Sequence, residues 1–412
     1  MSDTRFDTPL DGLRVVESAT FVAGPSGGMA LAQLGAEVIR VDLPGGGSDY
    51  QRWPVDPRGA SLYWANLNKG KRSVTIDFRT PAGRELLTEL VTAPGPESGI
   101  FLDNMVGRAR LHYEDLRSRR ADMIHVHVQG HADGSPAVDY TVNAGVGIPD
   151  MTGPENAGAP VNQVLPAWDL LTGMTAATGV LAAVHRRDVT GEGSRIDLAL
   201  ADVALSAVGS LGWLAEAELA GAARPRHGNH VYGSFGVDFS TSDGCRVMVV
   251  ALTEGQWHAL CRVTGTSRVF EALETSLDVD LNNEADRYRL RETIAAILRP
   301  WFAGRPLHEV SQELDRARVL WGPYRSMLDA VHLAREDGDS VVAEVDQPGV
   351  GAMLASANPL RWEESVGRPS PAPTLGADTE TVLSGVLGLS QVEIGRLHDG
   401  GVVRANSGRQ HP

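Results

Sequence analysis

Residues 13–42 read LRVVESATFVAGPSGGMALAQLGAEVIRVD, and this stretch decides the fold class. Leu13 to Glu17 is short, apolar and β-branched, the composition of a buried strand. A loop follows, Thr20-Phe21-Val22-Ala23-Gly24-Pro25. A helical stretch then starts near Ser26, a candidate N-cap, and places Met29, Ala30, Leu31 and Leu34 on an apolar face. Gly35 is a candidate C′ residue, and Glu37 to Asp42 supplies a second strand. Strand, helix and strand in this order predict a parallel sheet with helices on its faces, an α/β fold.

The same alternation continues outward. Ser73–Asp77, Ser98–Leu102 and Met123–Val128 are strand-like, and Pro81–Val91 is helix-like. Asp169 to Val184 holds no basic residue and is rich in Ala, Leu, Thr and Gly, which predicts a helix buried between layers. Pro166 separates it from what precedes, and His185-Arg186-Arg187-Asp188 ends it. Residues 190–209, TGEGSRIDLALADVALSAVG, predict another strand and helix. Near 221–228 the composition shifts to Gly, Pro and Arg. Beyond lies a separate α+β block. It opens on a hairpin, Phe235–Phe239 and Cys245–Val250, turning through Ser242-Asp243-Gly244. Helical patterns follow at Thr253–Val263, Ala285–Leu298 and Pro306–Arg318. A turn-rich stretch, 338–373, leads to a helical tail, Ala377–Leu397. The expected boundaries are a large domain over 1–220, a linker over 221–229, a small domain over 230–330 and a return segment over 331–412. A chain of 412 residues divides into about two or three domains at roughly 150 residues each, in keeping with this plan.

Composition narrows the function classes. The 52 acidic and 37 basic residues give a formal charge of −15, the wrong balance for gripping nucleic acid through phosphates. Cys245 and Cys261 cannot form a disulfide framework or a four-thiolate metal site. The opening MSDTRFDTPLDG carries no apolar signal region, and no uncharged apolar run reaches the ~20 residues of a spanning helix. A cytoplasmic protein with no membrane or nucleic-acid partner is the expectation. Glycine is in excess, 46 residues, and most lie in turns between the periodic runs.

Several constellations invite chemistry. The loop before the first helix offers N–H groups to a phosphate, and Asp42 stands where a dinucleotide fold keeps its ribose acid. The turn reads AGPSGG, however, without G-x-G-x-x-G. In NKGKRS, residues 68–73, Lys69, Lys71 and Arg72 concentrate positive charge in an acidic chain. The cluster either holds a polyanion or blunts a strand edge. Asp169 opens the small-residue helix. There it is either an N-cap or an ionised nucleophile whose pKa the helix terminus lowers. His125 and His127 face one side of a strand, and no motif places a third ligand, so no metal is expected. GNHVYGSFG, residues 228–236, is either a mobile lid or a set of turns. Trp257, Trp301 and Trp321 read as core.

In order, these pieces resemble the family III CoA-transferases of the CaiB/BaiF type. The resemblance is carried by FVAGP (21–25), LGAEVIRVDLPGGG (34–47), LNKGKRS (67–73), LPAWD (165–169) and RRDVTGEG (186–193), and spans Leu10 to about Val402. DYQRWPV (49–55), VDYTVN (138–143), GNHVYGSFGVDF (228–239), RVMVVALTEGQW (246–257) and VLWGPYR (319–325), together with LNKGKRS and LPAWD, narrow it to a branch that moves CoA within one dicarboxylate. The resemblance implies a Rossmann-like large domain built from both chain ends, a small α+β domain and an interlocked homodimer. It implies an acyl-CoA substrate, with CoA entering as part of that substrate and no permanently bound cofactor.

It further implies Asp169 as nucleophile and Phe21, Val22, Ala23, Arg40, Lys69, Lys71, Arg72 and Asn104 as CoA contacts. Gly228, Asn229, His230, Tyr232 and Gly233, in the glycine-rich loop, are the candidate substrate lid, and loop position makes Arg226, His230 and Tyr232 the candidates for the distal carboxylate. The expected reaction converts mesaconyl-C1-CoA to mesaconyl-C4-CoA. The alternative is transfer between two separate small acids. Two departures matter. Asp103-Asn104-Met105 stands for the family's E-N-F, which leaves Arg108 and Arg110 open as CoA ligands. Ala137-Val138-Asp139-Tyr140 lacks the histidine of the racemase branch.

Overall fold

The structure is a computed structural model and describes residues 8–362 and 365–404. Six strands form one sheet: β1 (Arg14–Ser18), β2 (Glu37–Asp42), β3 (Arg72–Thr75), β4 (Ile100–Asp103), β5 (Ile124–Gln129) and β6 (Ser194–Ala199). Their order is β3-β2-β1-β4-β5-β6, and every neighbouring pair is parallel. The chain winds outward from β1 to β3, returns to lay β4 beside β1, and winds outward the other way. The reversal between β1 and β4 opens a crevice at the carboxyl ends of the strands, where sheets of this kind bind ligands.

The strands from β1 to β5 are buried along nearly their whole length because both faces are covered, whereas β6, at the sheet edge, alternates buried and exposed residues. Val15, Val38, Ile100, Leu102 and Val126 pack on one face with Leu31 of helix α1 (Ala23–Gln33) and with Ala176, Val180 and Ala183 of the long helix Ala167–Thr190. Val16, Ile39, Val74 and Phe101 pack on the other with Leu86, Leu87 and Leu90 of Pro81–Val91. Val382, Leu383, Ile394, Val402 and Val403 enter that same core, so the end of the chain completes what its beginning starts.

One local expectation needs correction. Ser26 is not an N-cap: α1 begins at Ala23, and Ser26 donates its Oγ–H back to the Ala23 carbonyl at 3.1 Å. Pro25 is tolerated in this first turn because the leading N–H groups of a helix have no intrahelical acceptor to lose. Gly35 does follow the helix end, at φ +103°. The long helix runs from Ala167 to Thr190 and, by length and composition, could cross a membrane. In the fold it packs on α1, β5 and β6. It crosses α1 at two glycines. A Cβ on Gly173 would stand 2.0 Å from Ser26 Oγ and 2.7 Å from the Ala23 carbonyl oxygen; one on Gly27 would stand 2.8 Å from the Gly173 oxygen.

The chain divides into two units. The first holds the six-stranded sheet and comprises residues up to Val146, Val164–Glu216 and the return from Leu333. A hairpin of Val342–Gln347 and Gly351–Ser356 lies in that return, within the stretch read as turns. The second comprises Gly147–Gln163 and Ala217–His332, so 147–163 joins it although the sequence-based boundary sets it with the large domain. Its antiparallel sheet has the order Phe235–Ser240, Arg246–Ala251, Leu320–Pro323. Phe235, Phe239, Trp257, Leu260, Ile294, Leu298, Trp301 and Phe302 form its core, and Trp321 packs against it.

Candidate active site

The crevice between β1 and β4 is bordered by the loop after β1. Asn104, directly after β4, grips that loop: the Thr20 N–H donates to Asn104 Oδ1 at 3.1 Å and Asn104 Nδ2 donates to the Thr20 carbonyl at 3.0 Å. Phe21 adopts φ +68°, a left-handed conformation that a bulky residue avoids unless its surroundings impose it. Asp49 imposes it, accepting the Phe21 N–H through Oδ2 at 3.0 Å. The Phe21 ring is exposed, while Val22 and Ala23 are buried.

A dense set of buried charges includes Asp49. Lys71 Nζ lies 2.7 and 2.9 Å from the two Glu17 oxygens and 2.9 Å from Asn68 Oδ1. Arg40 pairs in bidentate fashion with Asp42 at 2.8 and 2.9 Å and reaches Asp49 at 3.2 Å. All five ionisable groups are almost fully buried. Burial pushes Lys71 down to about 8 and Glu17 up, each against the attraction of its partner. Burial pulls Arg40 down, but Asp42, Asp49 and Glu17 more than offset it and hold it above the usual guanidinium range. Gly28 of α1 lets the helix pass: a Cβ there would stand 1.8 Å from Glu17 Oε2.

These geometries give several of the expected CoA contacts carboxylate partners within the protein. Arg40 and Lys71 present no charge outward, because protein carboxylates take both. Arg72 pairs with Glu37 at 2.6 Å and Asp378 at 3.5 Å. Lys69 differs. Among the described residues its Nζ meets the neutral Asn66 Oδ1 at 3.4 Å and Ser356 Oγ at 3.3 Å and no carboxylate, and burial pushes it down to about 8. Arg110 pairs with Asp197 at 3.7 Å.

Asp169 lies in the first turn of the long helix, but it does not cap it. The cap comes from Asp139, whose Oδ2 accepts the N–H of Trp168 at 2.8 Å and of Asp169 at 3.0 Å. Trp168 Nε1 donates to Asn143 Oδ1 at 3.0 Å and ties the long helix to the short helix Asp139–Gly145 that carries the cap. The expectation of a lowered pKa is therefore overturned. Burial first, then the Asp139 charge, push Asp169 up to about 6, with Arg52 opposing. At neutral pH the carboxylate is ionised, and it is more basic, hence more nucleophilic, than an ordinary aspartate. The Arg52 guanidinium sits over two rings, 5.4 Å from Phe21 and 5.3 Å from Tyr63. Burial first, then Asp169 and Asp49, push the Tyr63 phenol up to about 12 against the pull of Arg52.

The lid candidates lie in the second unit. Gly228 and Gly233 have φ of +59° and +77°. Asn229 donates to Asp238 at 2.9 Å, and His230 meets Glu292 at 2.8 Å. The Tyr232 ring packs on His227 and Tyr288 with the Arg224 guanidinium 3.6 Å from its centre. Arg226 is occupied by the carbonyls of Asp150 and Ala157, both at 2.6 Å.

His125 and His127 do find a third ligand-type group in Asp103. Both imidazoles, however, direct a ring nitrogen at that carboxylate itself, His127 Nδ1 at 2.8 Å from Oδ1 and His125 Nε2 bonded to Oδ2. Burial pushes Asp103 up, and the two histidine bonds more than offset this, leaving it below the usual range. The arrangement satisfies a buried carboxylate with protein donors.

Sequence reasoning missed Asp139, Glu17, Asp49, Arg52 and Tyr63 as members of the site. The signal for two of them was at hand: Asp49 and Arg52 fall in DYQRWPV.

Comparison with known proteins adds to this geometry. The profile of CoA-transferase family III matches residues 10–379. A 2-methylfumaryl-CoA isomerase of Chloroflexus aurantiacus is 50% identical over 96% of this chain and 97% of its own. A succinyl-CoA:mesaconate CoA-transferase of Haloarcula marismortui is 30% identical over 88% of this chain and 91% of its own. Among solved structures, a CaiB/BaiF family protein from Brucella suis superposes with a TM-score of 0.74 at 26% identity, covering 92% of this chain and 99% of that one.

Proposed function

The chain belongs to CoA-transferase family III, and from that membership we propose that it moves coenzyme A between the two carboxyl groups of one mesaconate, converting 2-methylfumaryl-CoA to 3-methylfumaryl-CoA. That the protein is an enzyme acting on CoA thioesters follows from the family and from the half-identical isomerase. The observation that carries the finer reading is Asp169, a carboxylate raised to about 6 and left without the backbone donors that Asp139 takes.

In the proposed cycle Asp169 attacks the thioester carbonyl. The C–S bond breaks, CoA leaves as thiolate, and a mixed anhydride joins Asp169 to the acyl group. The thiolate then attacks the aspartyl carbonyl of the anhydride, giving an aspartyl-CoA thioester and mesaconate dianion. Mesaconate turns end for end, and its other carboxylate attacks the aspartyl thioester, again releasing thiolate. Attack of that thiolate on the new acyl carbonyl gives the isomeric thioester and frees Asp169. A protein carboxylate is needed because the two carboxyls of mesaconate are trans across a double bond and cannot close on each other.

The free acid has to stay in the site, since its escape exposes the aspartyl thioester to water. The loop carrying Gly228, Asn229, His230, Tyr232 and Gly233 is proposed to move during the cycle and slow that escape. Phe21, Val22, Ala23 and Asn104 are proposed to line the CoA path, with Lys69, a buried cation with no carboxylate partner among the described residues, meeting a phosphate. Arg72 is proposed as a further phosphate contact, reached by exchange of its ion pairs. The chain is proposed to work in the cytoplasm as a homodimer. The long helix and its successors leave Leu171, Met174, Leu205, Leu211 and Leu214 exposed, an apolar surface of the kind that another subunit covers.

The deciding experiment supplies 2-methylfumaryl-CoA with isotopically labelled free mesaconate and resolves the products by mass. Unlabelled 3-methylfumaryl-CoA is the expected product. Label entering it at the rate of turnover overturns intramolecular transfer and establishes the intermolecular reaction.

A further inference from the structure

Arg52 is an exposed arginine beside a site rich in negative charge. Arg40 is committed to carboxylates and Arg72 to Glu37 and Asp378. Arg58 pairs with Asp56. Among the described residues no carboxylate pairs with Arg52 at salt-bridge distance. Its guanidinium lies instead against the Phe21 and Tyr63 rings, 5.4 and 5.3 Å from their centres. The backbone beneath is held on both sides: the Arg52 N–H donates to the Asp49 carbonyl at 3.1 Å, and its own carbonyl accepts Ser61 Oγ–H at 2.6 Å. The supporting ring is held as well. Phe21 is kept in its left-handed conformation by Asp49, and Thr20 beside it by Asn104. A strained residue, two neighbouring aromatic rings and a fixed backbone all serve to aim one planar cation.

We propose that Arg52 binds the free carboxylate of the substrate and makes the enzyme selective for thioesters of short dicarboxylic acids. The proposal rests on the reading of Asp169 as nucleophile. Asp169 and Asp139 already place two acidic groups in the site. A substrate carrying its own carboxylate is repelled there unless a local cation receives it. A guanidinium does so through a planar, two-pronged pair, and stacking on rings limits the rotamer freedom it loses on binding. In the cycle proposed above the two carboxyls of mesaconate exchange roles, so one cation receives whichever end is not reacting.

The test traps the Asp169 adduct with hydroxylamine during reaction with two thioesters. One is 2-methylfumaryl-CoA; the other is (E)-2-methylbut-2-enoyl-CoA, in which a methyl group replaces the free carboxyl. Wild type is expected to prefer the dicarboxylate in kcat/KM for adduct formation. Arg52→Gln is expected to lose about 100-fold or more on 2-methylfumaryl-CoA and far less on the methyl analogue, collapsing that preference. Arg52→Lys, which keeps the charge without the planar fork, should restore part of it. Thermal melting alongside checks that both variants are folded. Equal losses on the two thioesters, or no loss on either, overturn the assignment while leaving Asp169 as nucleophile. No adduct with either thioester in wild type overturns the nucleophile reading, and the role of Arg52 with it.

Discussion

Asp139 Oδ2 accepts the backbone N–H of Asp169 at 3.0 Å, so one carboxylate caps the helix that presents the other. The cap does two things at once. It takes the donors that would have stabilised an ionised Asp169, and it sets a second negative charge beside it. Helix ends ordinarily lower the pKa of a nearby acid; here the terminus is already spent.

Asp139→Asn keeps a capping oxygen and removes the charge. The acid limb of the pH–rate profile, set by an Asp169 near 6, should move to lower pH. A profile of 2-methylfumaryl-CoA turnover between pH 4 and 8 reads this directly, and an unmoved limb would count against the coupling. Asp139→Ala should also lose the cap, about 1 kcal/mol of stability.

Asp169→Asn should abolish turnover and stabilise the protein. The folded pKa, about 6, lies above the ordinary 3.8, so the fold disfavours the ionised form. That penalty is absent below about pH 4, grows as pH rises to 6, and is complete above it. The variant should exceed wild type by on the order of 2 kcal/mol at pH 8 and match it near pH 4. Chemical denaturation at the two pH values measures both differences.

Lys71→Met strands Glu17 without its main partner in a fully buried setting. A loss of about 3–5 kcal/mol in urea denaturation is expected. Adding Glu17→Gln should recover part of it, because the second change removes the uncompensated charge. Additive losses would show that the pair is not coupled.

Gly173→Ala should separate the long helix from α1, since the new methyl would overlap Ser26 Oγ and the Ala23 carbonyl. A loss of roughly 1–3 kcal/mol is expected. Turnover should fall further than stability predicts, because Asp169 lies one helical turn away on the same helix. Proportionate losses would mean that the crossing serves packing alone.

The sheet was legible because buried strands carry apolar runs and glycine marks helix ends; Glu37–Asp42 and Pro81–Val91 read correctly to the residue. The place of Asp169 in the first turn of the long helix was legible from LPAWD. The buried charges were not. Glu17 and Arg40 look like surface residues in sequence, and only the register that sets them opposite each other on β1 and β2 reveals a paired interior. Asp139 was hidden for a similar reason. Its partner lies in another helix, and a cap supplied from outside a helix leaves no mark on the sequence at that helix's own start. The raised pKa of Asp169 followed from that unseen neighbour.

The meeting of Gly27 and Gly173 has a practical consequence for anyone redesigning this catalyst. Where helices touch through backbone atoms there is no side chain to trim or enlarge. The depth at which the Asp169 carboxylate stands is not a tunable dimension. A library aimed at new substrates gains nothing from varying that crossing and loses folded members. The adjustable wall is the one built of side chains, Phe21, Arg52 and Tyr63, and retargeting should begin there.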